Sequence, residues 1–286
     1  MYYLIIIAVV LFGVGFATQD VFRKMRGDNL KISLQFTLIG GIAGFFVLLA
    51  YNKFHFEFTP FTLLMSLATA ITGIAFTFCS FKALGIINLS LYSVFSMLGG
   101  MLLPFVQGIA LYGEKITVAK GVCLVLITAA LALTIEKGGN KKAILYYLGV
   151  FVLNGASGVI AKFFTEASYT KTSATGFSVL SVLCLALLSG ALLPFFSSKK
   201  YPSSPFTWSS TAVAAANGVI NRVANLLLVF ALATVDASVQ YPMVTGGVMI
   251  VSTVICYLQR KKPTVKELLS VALAFLGTLA LFLIPV

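Results

Sequence analysis

Two stretches of this 286-residue chain repeat one pattern, and this repeat decides the predicted fold. The first is FKALGIINLSLYSVFSMLGGMLLPFVQGIALYGEKITVAKGVCLVLITAALALTI (81–135), and the second is FALATVDASVQYPMVTGGVMIVSTVICYLQRKKPTVKELLSVALAFLGTLALFLI (230–284). Gly99-Gly100 corresponds to Gly246-Gly247, and Thr117-Val118 corresponds to Thr264-Val265, both at an offset of 147 residues. This constant offset predicts that one structural unit occurs twice in the chain.

The composition predicts that both copies lie in a membrane. Hydrophobic residues make up 59% of the chain and charged residues only 10%. Soluble domains contain about 45–50% and about 25% of these classes, respectively. The composition therefore argues against a soluble enzyme, a secreted disulfide scaffold, a disordered chain and a nucleic-acid-binding module.

Ten stretches are long and apolar enough to cross a bilayer, which takes about 20 residues as a helix. They are 2–22, 32–51, 59–81, 88–112, 116–135, 144–164, 172–196, 207–232, 238–258 and 265–285. A β-barrel would instead need alternating strands of about 10 residues, whereas runs such as 5–14 and 123–135 are apolar on every side. We therefore predict an all-α integral membrane protein with ten transmembrane helices.

The repeat divides these helices into two five-helix units, residues 1–137 and 138–286. Each quoted stretch holds the third, fourth and fifth span of its unit. Because five is odd, the two units cross the membrane in opposite senses, which gives an inverted repeat. Many secondary transporters have this architecture, with the substrate site near the midplane between the halves.

The net charge of +12 follows the predicted topology. Fourteen Lys and Arg residues follow the odd-numbered spans, five follow the even-numbered spans, and Arg222 lies within a span. By the positive-inside rule, the odd-numbered connections are cytoplasmic and both termini are outside the cell membrane. No Lys or Arg precedes the apolar run of the first span, so we expect a retained helix and not a cleaved signal peptide.

The sequence gives no support for metal or cofactor chemistry. The four cysteines lie inside spans, without CxxC or Cys/His metal spacing. The single histidine, His55, lies in a polar connection without a nearby nucleophile. No G-x-x-x-x-G-K-[ST] motif is present, which argues against an ATP-driven pump. We expect no cofactor, no nucleic-acid partner and no enzymatic activity.

The fourth and fifth spans carry a resemblance to a known family. The helix 92–104 is followed by LYGEKITVAKGVCLVLITAALAL (111–133). This segment resembles the Leu-Gly-Glu turn and Gly-containing helix of the drug/metabolite transporter superfamily, in its ten-span EamA-like branch. The matching residues are Tyr112, Gly113, Glu114 and Gly121. The resemblance implies a secondary transporter of small metabolites, often an exporter. The second half has Lys261 where the family often has Glu, so the role of the Glu114 turn stays open.

The eighth span, TAVAAANGVINRVANLLLVFALA (211–233), carries the strongest polar signal. Asn217, Asn221 and Asn225 share one helix face, because they are spaced four residues apart. Arg222 stays protonated and must face an acid, carbonyl groups, water or an anionic ligand. The span therefore predicts a substrate-binding wall with one fixed positive charge. The alternative is hydrogen bonding between helices, with Arg222 paired to Asp20 or Asp236.

Other spans supply further candidate residues. Candidates for substrate binding are Gln19, Tyr92, Asn154, Gln240 and Tyr241. Asp20 has two interpretations, as a coupling residue that carries a proton or as an ion-pair partner of Arg23 or Lys24. Matched glycine and proline positions in the fourth and ninth spans predict either flexing during transport or close helix packing. They are Gly99, Gly100, Pro104, Pro242, Gly246 and Gly247.

Together these features predict a secondary active transporter or exchanger that works by alternating access. The expected partners are the lipid bilayer and a small polar metabolite, such as an amino acid, an organic acid or a similar anionic or zwitterionic solute. Both repeats lie in one chain, so a monomer is expected to function. The alternatives are an exporter of cationic drugs or amines, a membrane-embedded enzyme and a non-transporting scaffold. Convergence of the polar faces of spans 1, 3, 6 and 8 on one cavity would favour transport.

Overall fold

The chain is helical throughout its described part. This computed structural model describes residues 2–113, 117–134, 141–196, 207–232, 235, 237–260 and 262–284. Helices make up 87% of the structure, and no strand occurs in these ranges. The helices are α1 (Tyr2–Arg26), α2 (Leu30–Tyr51), α3 (Pro60–Leu84), α4 (Leu89–Tyr112), α5 (Val118–Thr134), α6 (Lys141–Glu166), α7 (Ala174–Leu192), α8 (Trp208–Leu232), α9 (Ala237–Leu258) and α10 (Val265–Leu283).

The all-helical class and the membrane character predicted from the sequence are confirmed. Each described helix overlaps one predicted span, and seven of them are long and apolar enough to cross a membrane. The helices α5 and α9 contain shorter apolar segments, Val118–Leu133 and Met243–Leu258. The helix α1 continues past the predicted end at residue 22 to Arg26, and its last turn carries three basic residues. Cations are favourable there, because they lie at the negative end of the helix dipole.

Short polar residues fix where several helices begin. The side chain of Asn29 accepts a hydrogen bond from the backbone of Ile32 at the start of α2, and Asn88 accepts one from Leu91 at the start of α4. Such caps satisfy backbone N–H groups that have no partner within the helix. The helix α4 ends at Gly113, whose φ of 66° is the left-handed conformation that glycine adopts readily.

Most helix packing joins the first half of the chain to the second. The helix α1 packs on α8 and α9, and α6 packs on α3 and α4. The helices α2 and α3 both contact α7, α2 also contacts α8, and α5 packs on α10. The halves are therefore interleaved and do not form two separate bodies.

The glycine and proline positions of α4 and α9 lie in close helix contacts. A Cβ atom on Gly99 would overlap the carbonyl oxygen of Phe151 in α6. A Cβ atom on Gly158 of α6 would lie 2.5 Å from the ring of Pro104, and α4 continues through this proline. Small residues allow such close approach of membrane helices.

Their counterparts in α9 are packed in a similar way. A Cβ atom on Gly247 would lie 2.9 Å from Val9 of α1, and one on Gly246 would lie 2.5 Å from Phe275 of α10. The second glycine of the pair in α4, Gly100, is also in close contact: a Cβ atom on it would lie 2.8 Å from the Asn154 amide nitrogen of α6. The packing interpretation accounts for these glycines, while flexing stays a prediction. The side chain of Pro242 lies outside the described residues.

Polar contacts join the connections at both ends of α3. At its C-terminal end, Lys82 forms an ion pair of 3.0 Å with Asp28 in the α1–α2 connection. At its N-terminal end, Glu57 in the α2–α3 connection accepts two hydrogen bonds from Ser173, the N-cap of α7. A 25-residue helix is about 37 Å long, so these contacts lie at opposite ends of the bundle.

The Glu57 contact predicts a pH dependence of stability. Hydrogen bonds from the side chain and backbone of Ser173 hold the pKa of Glu57 below its usual value. The contact should stabilise the fold above the unfolded-state pKa of about 4.3, and this contribution should be lost as pH falls through the lower folded-state pKa. We expect the Tm difference between wild type and Glu57→Gln to be positive at about pH 7 and to shrink below about pH 4. Thermal unfolding in detergent across this range measures it, and a difference independent of pH would contradict the assignment.

Candidate substrate cavity

A cavity of about 240 Å³ lies between α1, α2, α3, α7 and α8. Its lining includes Gly15, Gly41 and Gly73, each near the middle of its helix, so the cavity lies at mid-depth in the bundle. Phe16, Phe36 and Phe76 supply aromatic walls. The polar side chains in the lining are Gln19, Thr37, Thr77, Asn217, Asn221, Arg222 and Asn225.

Arg222 places a positive charge in this cavity. Its side chain passes Gly44 of α2, where a Cβ atom would lie 3.0 Å from Arg222 Cγ and 3.4 Å from Nε. The missing side chain at Gly44 therefore makes room for the arginine. Within the described part of the chain, the guanidinium has no hydrogen-bond or ion-pair partner, and no Asp or Glu lines the cavity. An arginine cannot discharge itself by losing a proton, so an anion or water must solvate it.

The predicted alternative partner Asp20 is engaged elsewhere. Its carboxylate lies 2.8 Å from Arg23 Nη2 and 2.5 Å from Lys24 Nζ, and only 3% of the residue is exposed. The ion-pair interpretation of Asp20 thus matches the structure, and the pairing of Arg222 with Asp20 is wrong. The other proposed partner, Asp236, lies outside the described residues.

The three asparagines of α8 form a ladder along the cavity wall. Asn217 Nδ2 donates to the carbonyl of Gly15 at 2.6 Å and to Thr18 Oγ1 at 2.8 Å, which ties α8 to α1. Asn221 Nδ2 donates to the carbonyl oxygen of Asn217, and Asn225 Nδ2 donates to that of Asn221. These bonds use the amide nitrogens, so the Oδ1 atoms of Asn221 and Asn225 stay available as acceptors for a ligand.

The ladder predicts different roles for its two ends. Asn217→Ala should lower the free energy of unfolding by about 1 kcal/mol, because it removes the bonds between α1 and α8. Asn225→Ala, at the more exposed end, should leave stability unchanged and weaken ligand binding. Thermal unfolding and ligand titration of both variants separate the two effects. Equal loss of stability in both variants would show that the whole ladder is structural.

Gln19 adds a hydrogen-bond donor to the cavity. Its Oε1 atom lies 3.4 Å from the hydroxyl of Tyr92, which has a single proton and also lies 2.9 Å from Ser80 Oγ. The Gln19 amide nitrogen has no hydrogen-bond partner among the described residues, so it is left for a ligand. Tyr92 itself is fully buried behind the cavity, with its ring edge-on to Phe16 at 5.1 Å.

Two other predicted residues lie outside the cavity lining. Asn154 donates to the carbonyl of Ser96 at 2.6 Å, within the contact between α4 and α6. Gln240 is buried and donates to the carbonyl of Leu228 at 3.1 Å. The side chain of Tyr241 lies outside the described residues. Spans 1, 3 and 8 thus converge as predicted, while the lining lacks span 6 and includes spans 2 and 7.

Sequence reasoning missed Thr37, Thr77 and the glycines opposite α8. Both threonines bond to their own helices, Thr37 to the carbonyl of Ser33 and Thr77 to that of Gly73. Such residues are unremarkable in an apolar span. The one available signal was the GxxxG pair of Gly40 and Gly44 in α2, which approaches Ala214 and Arg222 of α8.

Comparisons with known proteins inform the fold alone. No family model matches the chain, and no curated protein matches it. A solved structure described only as "Crystal structure of protein" matches with a TM-score of 0.61, covering 97% of this chain and 99% of that chain. The two proteins share a fold. Their sequence identity of 17% carries no information about function.

Proposed function

We propose that this protein is a secondary transporter or exchanger of a small anionic or zwitterionic metabolite. The observation that carries the proposal is Arg222, which has no partner among the described residues and lies in a mid-depth cavity that both halves of the chain line. A charged side chain at mid-depth in a membrane protein is costly, and it points to a ligand or ion pathway. A non-transporting scaffold would gain nothing from this cost.

The packing pattern supports two inverted five-helix repeats. The test exchanges each helix with its counterpart in the other half, so that α1 exchanges with α6, α2 with α7, and so on. The contact of α1 with α8 then becomes that of α6 with α3, and the contact of α4 with α6 becomes that of α9 with α1. Likewise, α2–α8 becomes α7–α3, whereas α2–α7, α4–α9 and α5–α10 map onto themselves. All of these pairs pack in the structure. Such invariance is expected of a pseudo-two-fold axis between inverted halves.

Loop contacts support a topology of ten spans. Asp28 and Lys82 link connections 1 and 3, and Lys24 and Gln259 link connections 1 and 9. Glu57 and Ser173 link connections 2 and 6. Odd-numbered connections contact only odd-numbered ones in these pairs, and the even-numbered connections contact each other. This is what ten successive membrane crossings require, because they place the two sets on opposite sides. With the positive-inside bias, we propose that the odd connections are cytoplasmic and that both termini face outside the cell membrane.

The cavity favours a ligand with one negative charge. Arg222 and the Gln19 amide nitrogen are donors suited to a carboxylate, while Asn221 and Asn225 offer oxygen acceptors. The volume of about 240 Å³ is below the range of drug-sized sites. An organic acid or an amino acid fits this description better than a bulky cation does.

The same charge favours exchange over proton coupling. No acid lines the cavity in the described residues, so no side chain there can carry a proton. A bound anion neutralises Arg222 and lowers the cost of enclosing it as the halves move. Exporter direction and EamA-like membership are proposed from the resemblance of residues 92–133 alone.

Reconstitution into proteoliposomes tests this function. Vesicles loaded with unlabelled pyruvate, glutamate or alanine should take up the same labelled compound by counterflow, and for at least one of them Arg222→Gln should abolish uptake. Absence of counterflow for all anionic and zwitterionic compounds would contradict the proposal. Uptake of a quaternary amine that survives in Arg222→Gln would instead favour an amine exporter.

A further inference from the structure

A polar clasp joins the two halves where α3 and α7 begin. It consists of Glu57, Thr62, Thr172 and Ser173. Glu57 Oε2 accepts a hydrogen bond of 2.7 Å from the Ser173 backbone, and Oε1 accepts one of 2.6 Å from Ser173 Oγ. The Thr172 backbone donates to Thr62 Oγ1 at 3.1 Å. The clasp thus connects the first half directly to the N-terminus of a helix in the second half.

The surroundings hold Glu57 in this position. Lys53 and Phe54 adopt left-handed φ values of 53° and 59°, and Asn52 donates to the carbonyl of His55 at 2.6 Å, which makes a tight turn before Glu57. A Cβ atom on Gly176 would lie 2.9 Å from Glu57 Oε2, so this glycine allows the carboxylate to reach the helix end. A carboxylate there is favoured by the helix dipole and by the N–H groups of the first turn.

A continuous seam leads from the clasp to the cavity. Below the clasp, Ser181 donates to Ser66 at 3.1 Å, and Ala70 packs in one apolar cluster with Cys184. Next, a Cβ atom on Gly73 would lie 3.2 Å from Leu185 Cδ1, and both of these residues line the cavity. Contact between α3 and α7 therefore forms one boundary between the cavity and this face of the bundle.

The contact between α3 and α7 is suited to separation. Its contacts at the clasp are hydrogen bonds, which water can replace at a small net cost. The contact between α4 and α6, by contrast, is a close approach of backbones at Gly99. We propose that the clasp is the gate of the cavity on this face: α3 and α7 part when the Glu57–Ser173 bonds break, and the cavity closes when they form. The role of this gate in transport rests on the proposed function. Opening of the gate does not, because it can be measured without a substrate.

Cysteine accessibility tests the gate. In a variant with the four native cysteines replaced, Thr77→Cys places a thiol in the cavity lining, and a membrane-impermeant thiol reagent is added from the clasp side. Lys53→Cys, in the exposed α2–α3 connection, identifies that side. Adding Glu57→Gln should increase the labelling rate by about tenfold, the change expected from loss of a charge-assisted hydrogen bond. The matched control is Glu166→Gln, which should leave the rate unchanged. Glu166 is an exposed carboxylate at the end of α6, and it has no bond to the described residues of the other half.

A crosslink provides the second arm. Ser66→Cys with Ser181→Cys should form a disulfide across the seam on oxidation, slow the labelling of Thr77→Cys from the clasp side, and restore it on reduction. An equal labelling rate with and without Glu57→Gln would overturn the gate, as would labelling that the crosslink does not slow. Both readouts are independent of transport. If no compound is transported but labelling changes as described, the proposed function fails and the gate stands.

Discussion

Arg222→Gln should weaken binding of an anionic ligand by about 100-fold or more and leave the protein folded. Loss of one partner of a desolvated charge pair costs about 2–5 kcal/mol of binding energy. The fold should tolerate the change, because the guanidinium has no partner among the described residues. Calorimetric titration in detergent measures the affinity, and thermal unfolding measures the stability.

Two control variants separate the effect of the positive charge on binding from the effect of its position in the cavity. Arg222→Lys keeps the positive charge but loses the planar fork of donors, so we expect an intermediate affinity. Arg260→Gln removes a positive charge from an exposed turn after α9 and should bind as wild type does. Wild-type affinity in Arg222→Gln would remove the arginine from the site. Loss of folding in that variant would show that its role is structural.

Gly99→Ala should be among the most destabilising single-methyl substitutions in the described part of the fold. The added Cβ atom would overlap the backbone carbonyl of Phe151, and backbone in a packed helix cannot move aside cheaply. We expect a loss of about 3 kcal/mol or more, at the upper end of overpacking costs. Thermal unfolding and yield from the membrane fraction check this.

Gly121 of α5 is the matched control. A Cβ atom at this position would have no neighbour within 4 Å among the described residues. Gly121→Ala should therefore gain about 0.5–1 kcal/mol, because alanine favours a helix more than glycine does. Similar stability of the two variants would contradict the close contact between α4 and α6.

The sequence was enough to predict the helices and one wall of the cavity. Apolar stretches of the required length mark the helices directly. The spacing of Asn217, Asn221 and Asn225 puts these residues on one face, and the structure brings that face to the cavity together with Arg222. A run of polar residues at helical spacing carries directional information that a single polar residue does not.

The sequence predicts the location of isolated polar residues less well, because a single polar residue does not show which way its helix face points. Asn154 and Gln240 are each the single amide side chain of their helix, so no run of amides at helical spacing marks which side faces the centre of the bundle. Both residues satisfy neighbouring carbonyl groups. The bond between Glu57 and Ser173 spans 116 residues, and no local pattern predicts a contact at that separation. It depends on the packing of α3 against α7.

The most direct test of an anion site at Arg222 is the thermal stability of the purified protein against a panel of small ligands. The panel contains organic acids, amino acids, nucleobases, sugar phosphates and quaternary amines, and Arg222→Gln is measured beside wild type. A ligand at about 100 times its Kd should stabilise the protein by roughly 2.7 kcal/mol. An anion site at Arg222 predicts stabilisation by anionic or zwitterionic compounds that is lost in Arg222→Gln. Stabilisation by amines alone, retained in the variant, would contradict it.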